Sequence, residues 1–329
     1  MPAIVPETLA QFADLVDESI QTIVNKRAEL EMKLGSYYNV KDTTSYYDKD
    51  SSIVGPGKAK FIGDNASVLY DAQVQGFDKT YTQKKYGLGL KISDHLWKFG
   101  IQFRKIVDSV ENLMDSIEAK VEDDAADILN NSFATSFTDD DGQTVTTSGG
   151  DAAAPFSNSH TREDGGTAWN NIVYDGTTYG MDFEYDAMKA NRRTAGLILT
   201  GVGLQTGFEP DTLVCKYGSS VHSRYEEIMG ALDRSRIPGG NENDGGAKVG
   251  LPNLITLKYL DNDAYWWTFD SSKKNNVYGL QWRWSKRPKL DAPELDYDTD
   301  LYKRKVTCFY DRGGNDFRSW TGSKGSNVA

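Results

Sequence analysis

The chain has 329 residues, 38% apolar and 12% aromatic, enough for a sizeable core, so a wholly disordered chain is excluded. Its net charge of −11 is repelled by phosphate backbones and disfavours free nucleic-acid binding, although a protein that surrounds DNA without gripping it carries the same sign. Two cysteines, no apolar run of membrane-spanning length and no basic-then-apolar leader in residues 1–7 predict a soluble protein made in a reducing cytoplasm.

Residues 7–34 predict a first helix. Leu9, Phe12, Val16, Ile20, Ile23, Val24 and Arg27 share one face, Asp14, Asp17, Glu18 and Gln21 lie on the exposed one, and Gly35 supplies a stop. Between Lys41 and Lys85 large apolar side chains become sparse. Two stretches alternate with period two: Val68, Tyr70, Ala72, Val74, then Tyr86, Leu88, Leu90, Ile92. With Gln75-Gly76-Phe77-Asp78 as the turn, they predict a long antiparallel hairpin. A lone ribbon is marginal in water and needs another surface, most simply a neighbouring subunit.

Ser93 or Asp94 is the expected cap of the next helix. Residues 103–133 contain neither Pro nor Gly. Phe103, Ile106, Val107, Val110, Leu113, Met114, Ile117, Val121, Ala125, Ile128, Leu129 and Phe133 recur at the helical period. Such a helix spans about 46 Å. Residues 134–181 are polar and glycine-rich, predicting loop with short strands at most. A second block, residues 182–293, predicts helices at 183–193 and 219–232, a buried strand at 213–215, a loop at 238–246, and strands at 254–259, 264–269 and 277–284. A strand at 301–310 follows, then Gly313-Gly314 and the closing Phe317-Arg318-Ser319-Trp320. There is no internal repeat.

The motifs that carry chemistry fail on spacing. Asp139-Asp140-Asp141-Gly142 would place Phe137 first and Ser148 twelfth in a calcium loop, and neither offers a carboxylate, so an acidic turn is predicted. Glu242-Asn243-Asp244-Gly245 fails likewise, with Leu251 where the bidentate Glu belongs. Gly201-Val202-Gly203-Leu204-Gln205-Thr206-Gly207 has one residue too many for a dinucleotide loop. Gly245-Gly246-Ala247-Lys248 lacks the flanking residues of a phosphate loop. His95, His160 and His222 do not lie at ligand spacing, and no Gly-x-Ser-x-Gly occurs. Glu226-Glu227 reads as a solvated helix face, and Cys215 and Cys308 as buried reduced thiols. No catalytic, cofactor-binding or metal residue is assigned, and the chain is not expected to be an enzyme.

Trp266-Trp267 with Trp282 and Trp284 predict a sheet core rather than a sugar-stacking platform. The basic islands Ser285-Lys286-Arg287-Pro288-Lys289 and Lys303-Arg304-Lys305 are expected to meet an acidic patch on a neighbour.

The order of these pieces resembles the major capsid protein of tailed bacteriophages, the Hong Kong 97-type capsid fold. Ala125-Ala126-Asp127-Ile128-Leu129-Asn130-Asn131-Ser132-Phe133, then Asp141-Gly142, then Phe156-Ser157-Asn158-Ser159-His160, is similar to the Mu-like major head subunit group. Lys305-Val306-Thr307-Cys308-Phe309-Tyr310 and Asp316-Phe317-Arg318-Ser319-Trp320 are similar to that family's last strands. The stretch 144–155 departs from the group in looking longer than its usual link.

The resemblance implies an α+β fold with an N-terminal arm (1–40), an extended β-hairpin loop (41–93), a long spine helix with a peripheral domain (94–181), an axial domain (182–295), and return strands of the peripheral domain (296–329). It implies a structural protein of the virion that self-assembles, as hexamers and pentamers, into an icosahedral shell around double-stranded DNA. Assembly would take place in the host bacterial cytoplasm. The implied partners are other copies of itself, the portal, a decoration protein, and packaged DNA through weak non-specific contact, with no membrane and no cofactor. With no scaffold-like segment before the first helix, a separate scaffolding protein is expected. Some relatives crosslink a hairpin lysine to a neighbour's asparagine, and Lys58, Lys60, Lys79, Lys84 and Lys85 are the lysines available. Two rivals remain: an encapsulin-like compartment, and a carbohydrate-binding or carbohydrate-active protein built on the Trp-rich strands.

Overall fold

The computed structural model describes residues 29–64, 66–68, 70, 74–93, 103–234, 252–274, 278–292 and 294–326. The predicted first helix is seen at its end, α1 (Glu29–Tyr37); residues 7–28 and the expected stripe there lie outside the described residues. Gly35 does not stop it. The helix runs on to Tyr37, and Tyr37 and Tyr38 are buried against the body, so tertiary packing outweighs the entropic cost of a helical glycine. Lys274 closes the end by donating to the Gly35 and Ser36 carbonyls.

Five strands build the first sheet. They are β1 (Asn39–Asp42), β4 (Lys84–Ser93), β10 (Leu280–Leu290), β11 (Glu294–Asp296) and β12 (Leu301–Gly314). β12 pairs antiparallel with β10, β11 and β4, and β1 joins β10 in parallel, with Val40 beside Trp282. The strand predicted at 301–310 thus extends through Gly313 and Gly314.

The predicted hairpin forms with different partners. β4 lies on β12, with Tyr86 beside Cys308 and Leu90 beside Arg304, and among the described residues of 68–74 Val74 pairs with Val54 instead. The ribbon is instead β2 (Tyr47–Val54) against β3 (Val74–Thr82), from Tyr47 beside Thr82 to Val54 beside Val74. The expected turn at Gln75-Gly76-Phe77-Asp78 lies inside β3. The reason is burial: Ile92, with Tyr86 and Leu90 packed beside it, belongs to the main core, which claims this strand for the body. Gly76 sits where the β2–β3 register slips between Ser51 and Ile53, and a Cβ there would collide with Ser52.

The long helix is α2 (Phe103–Asn130), with Asn131 to Phe133 in turns beyond it. The cap expected at Ser93 or Asp94 is not at Ser93, the last residue of β4, and Asp94 lies outside the described residues. Leu113, Met114, Ile117, Val121, Ala125, Ile128 and Leu129 form the buried stripe. They share one core with Tyr38, Trp282, Trp284, Cys308 and Tyr310. There Trp282 stacks on Tyr310 with centroids 4.7 Å apart, and Tyr86 stacks on Tyr310 at 4.4 Å.

Polar bonds fasten this helix to β12. Asp124, fully buried, receives Arg312 at 2.7 Å, Lys120 at 3.1 Å and the Tyr310 hydroxyl. Arg312 also reaches Asp127 at 3.4 Å, and the Tyr38 hydroxyl donates to the Ala125 carbonyl at 2.9 Å. Burial pushes the Asp127 carboxyl up to about 6 against the pull of Arg312, with Asp123 and Asp124 adding repulsion. Between its ordinary 3.8 and about 6 the folded protein therefore holds a proton that the unfolded chain has released. Stability through this group falls as pH rises across that window. Asp127→Asn should remove that part of the fall, so denaturation midpoints of wild type and variant should converge at the acid end and separate by neutrality, the variant being the more stable.

A second sheet, in the order β13-β9-β7-β8, comprises β7 (Thr212–Lys216), β8 (Asn253–Leu257), β9 (Trp266–Phe269) and β13 (Trp320–Ser323). Helices α3 (Tyr185–Leu197) and α4 (Ser220–Arg234) accompany it, near the predicted positions. β9 alternates between two cores. Trp266 turns to Phe183 at 5.3 Å and donates its N–H to the Met181 carbonyl, while Trp267 joins the α2 core and donates to Ser132. Trp266, Trp267, Trp282, Trp284 and Trp320 are all at most 1% exposed, which rules them out as a sugar platform. β5 (Ser136–Thr138) and β6 (Thr144–Thr146) flank the acidic turn, where Asp139 accepts from the Gln143 N–H and Gly142 takes φ +75°.

Candidate assembly surface

The β2–β3 ribbon has a clamped root and an open tip. At the root Tyr81 is wholly buried, with the Arg283 guanidinium 5.4 Å above its ring. Arg283 in turn holds Asp50 at 2.5 Å and Asp48 at 3.5 Å, so β10 grips β2 through charge and β3 through the aromatic face. Lys79 donates to the Ser148 carbonyl at 2.7 Å and the Thr146 carbonyl at 3.3 Å; burial lowers its ammonium to about 8, against an opposing pull from Asp311. The Thr82 N–H donates to Asp311 at 2.7 Å, and Asn315 donates to the Phe77 carbonyl at 3.2 Å. Gln83 is the one residue separating β3 from β4, and its N–H donates to the Tyr46 carbonyl.

The stretch 144–155 belongs to this root. From the end of β6 onward it carries the Thr146 and Ser148 carbonyls that hold Lys79, and Gly150 presses against Phe77 with its N–H donating to the Asn315 carbonyl.

Past Val54 the described chain makes no strand until Val74. Phe61, Val68 and Tyr70 are exposed there, Phe61 at 96% and Tyr70 at 94%, and Ile53, in β2 just before Val54, is exposed as well. Large apolar side chains left bare in one connecting segment mark a contact surface rather than scatter. Lys58 and Lys60 are exposed beside them. Of the other hairpin lysines, Lys79 is spent on the root and Lys85 lies over the Phe309 ring at 5.9 Å.

The basic islands are partly satisfied inside the chain, against the expectation that they meet a neighbour. Arg287 pairs with Asp42 at 2.8 Å, Lys286 donates to Thr307 at 2.6 Å and approaches Asp291, Lys303 pairs with Asp296, and Arg304 is buried. Lys289 and Lys305 stay exposed.

The residues considered for chemistry do not converge. Burial pushes the Cys215 thiol up to about 11 and the Cys308 thiol up to about 12, which suppresses both thiolates. His222 accepts from the Gly218 N–H and sits 3.5 Å from Glu226 on α4. His160 is buried elsewhere, between Asp151 and Asn171, and His95 lies outside the described residues. Residues 201–207 make a tight turn after α3, closed by Thr200 and Leu204, with no strand leading into it and no helix leaving it. The segments 242–245 and 245–248 lie outside the described residues. Among the described residues no group of His, Cys, Asp and Glu is placed to hold a metal, and no helix is long and apolar enough to cross a membrane. The Arg283–Tyr81 clamp was invisible in the sequence, because nothing local marks residues 200 positions apart as partners.

The sequence matches the family described as Phage capsid protein over residues 77–321, about three-quarters of its length. No curated protein matches it. Among solved structures, the capsid of an empty GTA particle aligns with TM-score 0.53 at 11% identity, covering 89% of each chain. The capsid of the cyanophage P-SCSP1u aligns with TM-score 0.51 at 10% identity, covering 88% of this chain and 87% of that one. At such identities these likenesses speak for the fold, and the family match speaks for the role. With its spine-like helix packed on a sheet, its two-stranded ribbon and its second sheet, the chain belongs to the phage capsid protein family and is a major capsid protein that forms the shell.

Proposed function

We propose that this chain is the major head subunit of a tailed phage. Copies of it close into hexamers and pentamers of an icosahedral shell around double-stranded DNA. The observation that carries the proposal is the ribbon with a fastened root and, among the described residues beyond it, bare apolar side chains that another copy would bury. Interfaces of this obligate kind bury on the order of 2,000–5,000 Å². The role is structural, not catalytic. In this reading residues 41–93 are the extended loop, 94–181 with 296–329 the peripheral domain, and 182–295 the axial domain, with 1–40 as the arm. Assembly takes place in the host cytoplasm, with a scaffolding protein, portal and decoration protein as partners and the packaged DNA touched weakly.

Size-exclusion chromatography of the purified full-length chain tests this. Megadalton particles enclosing nucleic acid are expected after co-expression with the partner proteins. A monomer that stays monomeric under all assembly conditions would overturn the reading. Particles that enclose protein cargo and no DNA would move it to the encapsulin-like compartment.

A further inference from the structure

Beneath the ribbon's root lies a buried charged cluster that assembly does not call on. His160 is 1% exposed and stacks on Trp169 with ring centroids 4.1 Å apart and planes at 14°. Its Nδ1 is 2.7 Å from an Asp151 carboxylate oxygen, and its Nε2 is 3.1 Å from Asn171 Oδ1. The orientation of Asn171 is fixed by two backbone groups: Oδ1 accepts from the Ser157 N–H at 2.9 Å, and Nδ2 donates to the Pro155 carbonyl at 2.8 Å. Turning the amide over would set donor against donor and acceptor against acceptor. With Asp151 ionised the ring faces an acceptor on each side, and both nitrogens then carry hydrogen. A neutral imidazole has one bare nitrogen, which would point its lone pair at an oxygen.

The same cluster touches the ribbon. A small cavity is lined by Ser52 of β2, Phe77 of β3, Asp151, His160, Trp169 and Arg318. Phe77 is seated on Gly150, next to Asp151 in sequence, and on Asn315. The charged groups facing the ring are Asp151 from the preceding loop, and Asp316 with Arg318 from the turn after β12. Arg318 holds Asp316 at 2.7 Å and Glu163 at 2.6 Å, and its guanidinium lies 5.4 Å from the Trp169 ring. β2 and β3 bring no titratable group to this cavity. Both carboxylates on the Arg318 side are thus engaged, and Asp151 is left with His160 and the Ala153 N–H.

We propose that His160 is a buried imidazolium whose proton keeps the loop 149–153 in place under Phe77, making the seat of the hairpin root responsive to pH. Loss of the proton sets a lone pair against Asp151 or Asn171, the loop withdraws, and the root loosens.

The test uses the full-length protein labelled with 15N-histidine, where the chain's three histidines give three ring signals and His160→Gln assigns this one. Near neutral pH both ring nitrogens of His160 should be protonated. As pH rises and the ring deprotonates, exchange of the β3 amides, corrected for its intrinsic pH dependence, should rise by about tenfold in step with it. Asp151→Asn supplies an N–H to Nδ1, so it should give a neutral ring and a β3 exchange rate that no longer follows the ring. A wild-type ring with a bare nitrogen near neutrality overturns the proposal, as does β3 exchange indifferent to the ring's charge. Wild type alone decides if a variant misfolds, and particle formation enters neither measurement, so the assembly reading is judged separately.

Discussion

Replacing residues 55–73 by an Asn-Gly turn should abolish shell formation while leaving the melting of the protomer within about 0.5 kcal/mol of wild type. The cut falls where β2 ends at Val54 and β3 begins at Val74, whose residues pair directly, so a tight turn rejoins the ribbon in register. The exposed Phe61 and Tyr70 go, and among the described residues of that segment no buried side chain goes with them. A wider excision, from Thr43 to Tyr81, is a poor test. It would remove Tyr81 from beneath Arg283 and strip Asp48 and Asp50 from the same guanidinium, leaving a buried cation without partners. Light scattering and electron microscopy of the tip variant decide the matter: closed particles would show that the excised segment is dispensable, and the assembly argument built on it would fall.

Arg312→Ala should destabilise the protomer by about 3–5 kcal/mol, enough to unfold a marginal domain. The cost arises less from the lost attraction than from what remains, a fully buried Asp124 carboxylate with Lys120 and the Tyr310 hydroxyl as its remaining partners. Adding Asp124→Ala to Arg312→Ala should recover part of the loss, because the stranded charge disappears with its partner. Urea denaturation of the four proteins in that cycle measures the coupling. By contrast the exposed pair of Lys33 and Glu122, 2.7 Å apart, should change stability by less than about 1 kcal/mol when broken. Equal losses at both pairs would mean that Asp124 is not the stranded charge described.

Much of this architecture was legible in the residues, and the part that was not follows one rule. Helix α2 was readable because an uninterrupted 3.6-residue stripe over nearly eight turns has no competing interpretation. The tryptophan pair on β9 was readable as core, although its two-sided burial needed both helical layers to be seen. The ribbon was harder. Period two announces a strand but does not name its partner, and both 68–74 and 86–92 satisfied it. What separated β4 from β3 was a long-range choice, the fit of Tyr86, Leu90 and Ile92 beneath α2. The internal partners of the basic islands were hidden for the same reason, since Asp42, Asp291 and Asp296 reach them through the fold rather than through sequence spacing. His160 offered no local cue at all, because Asp151, Asn171 and Trp169 surround it only after the loop has closed.

The lone Gln83 between two strands committed to different sheets has a mechanical meaning. Such a joint leaves no slack. Force applied by a sister molecule at the far end of the ribbon is delivered undiluted to β4, and through β12 to the helix bolted beneath it. A shell built from these subunits would then feel strain at one contact as torque on the spine of the molecule next door.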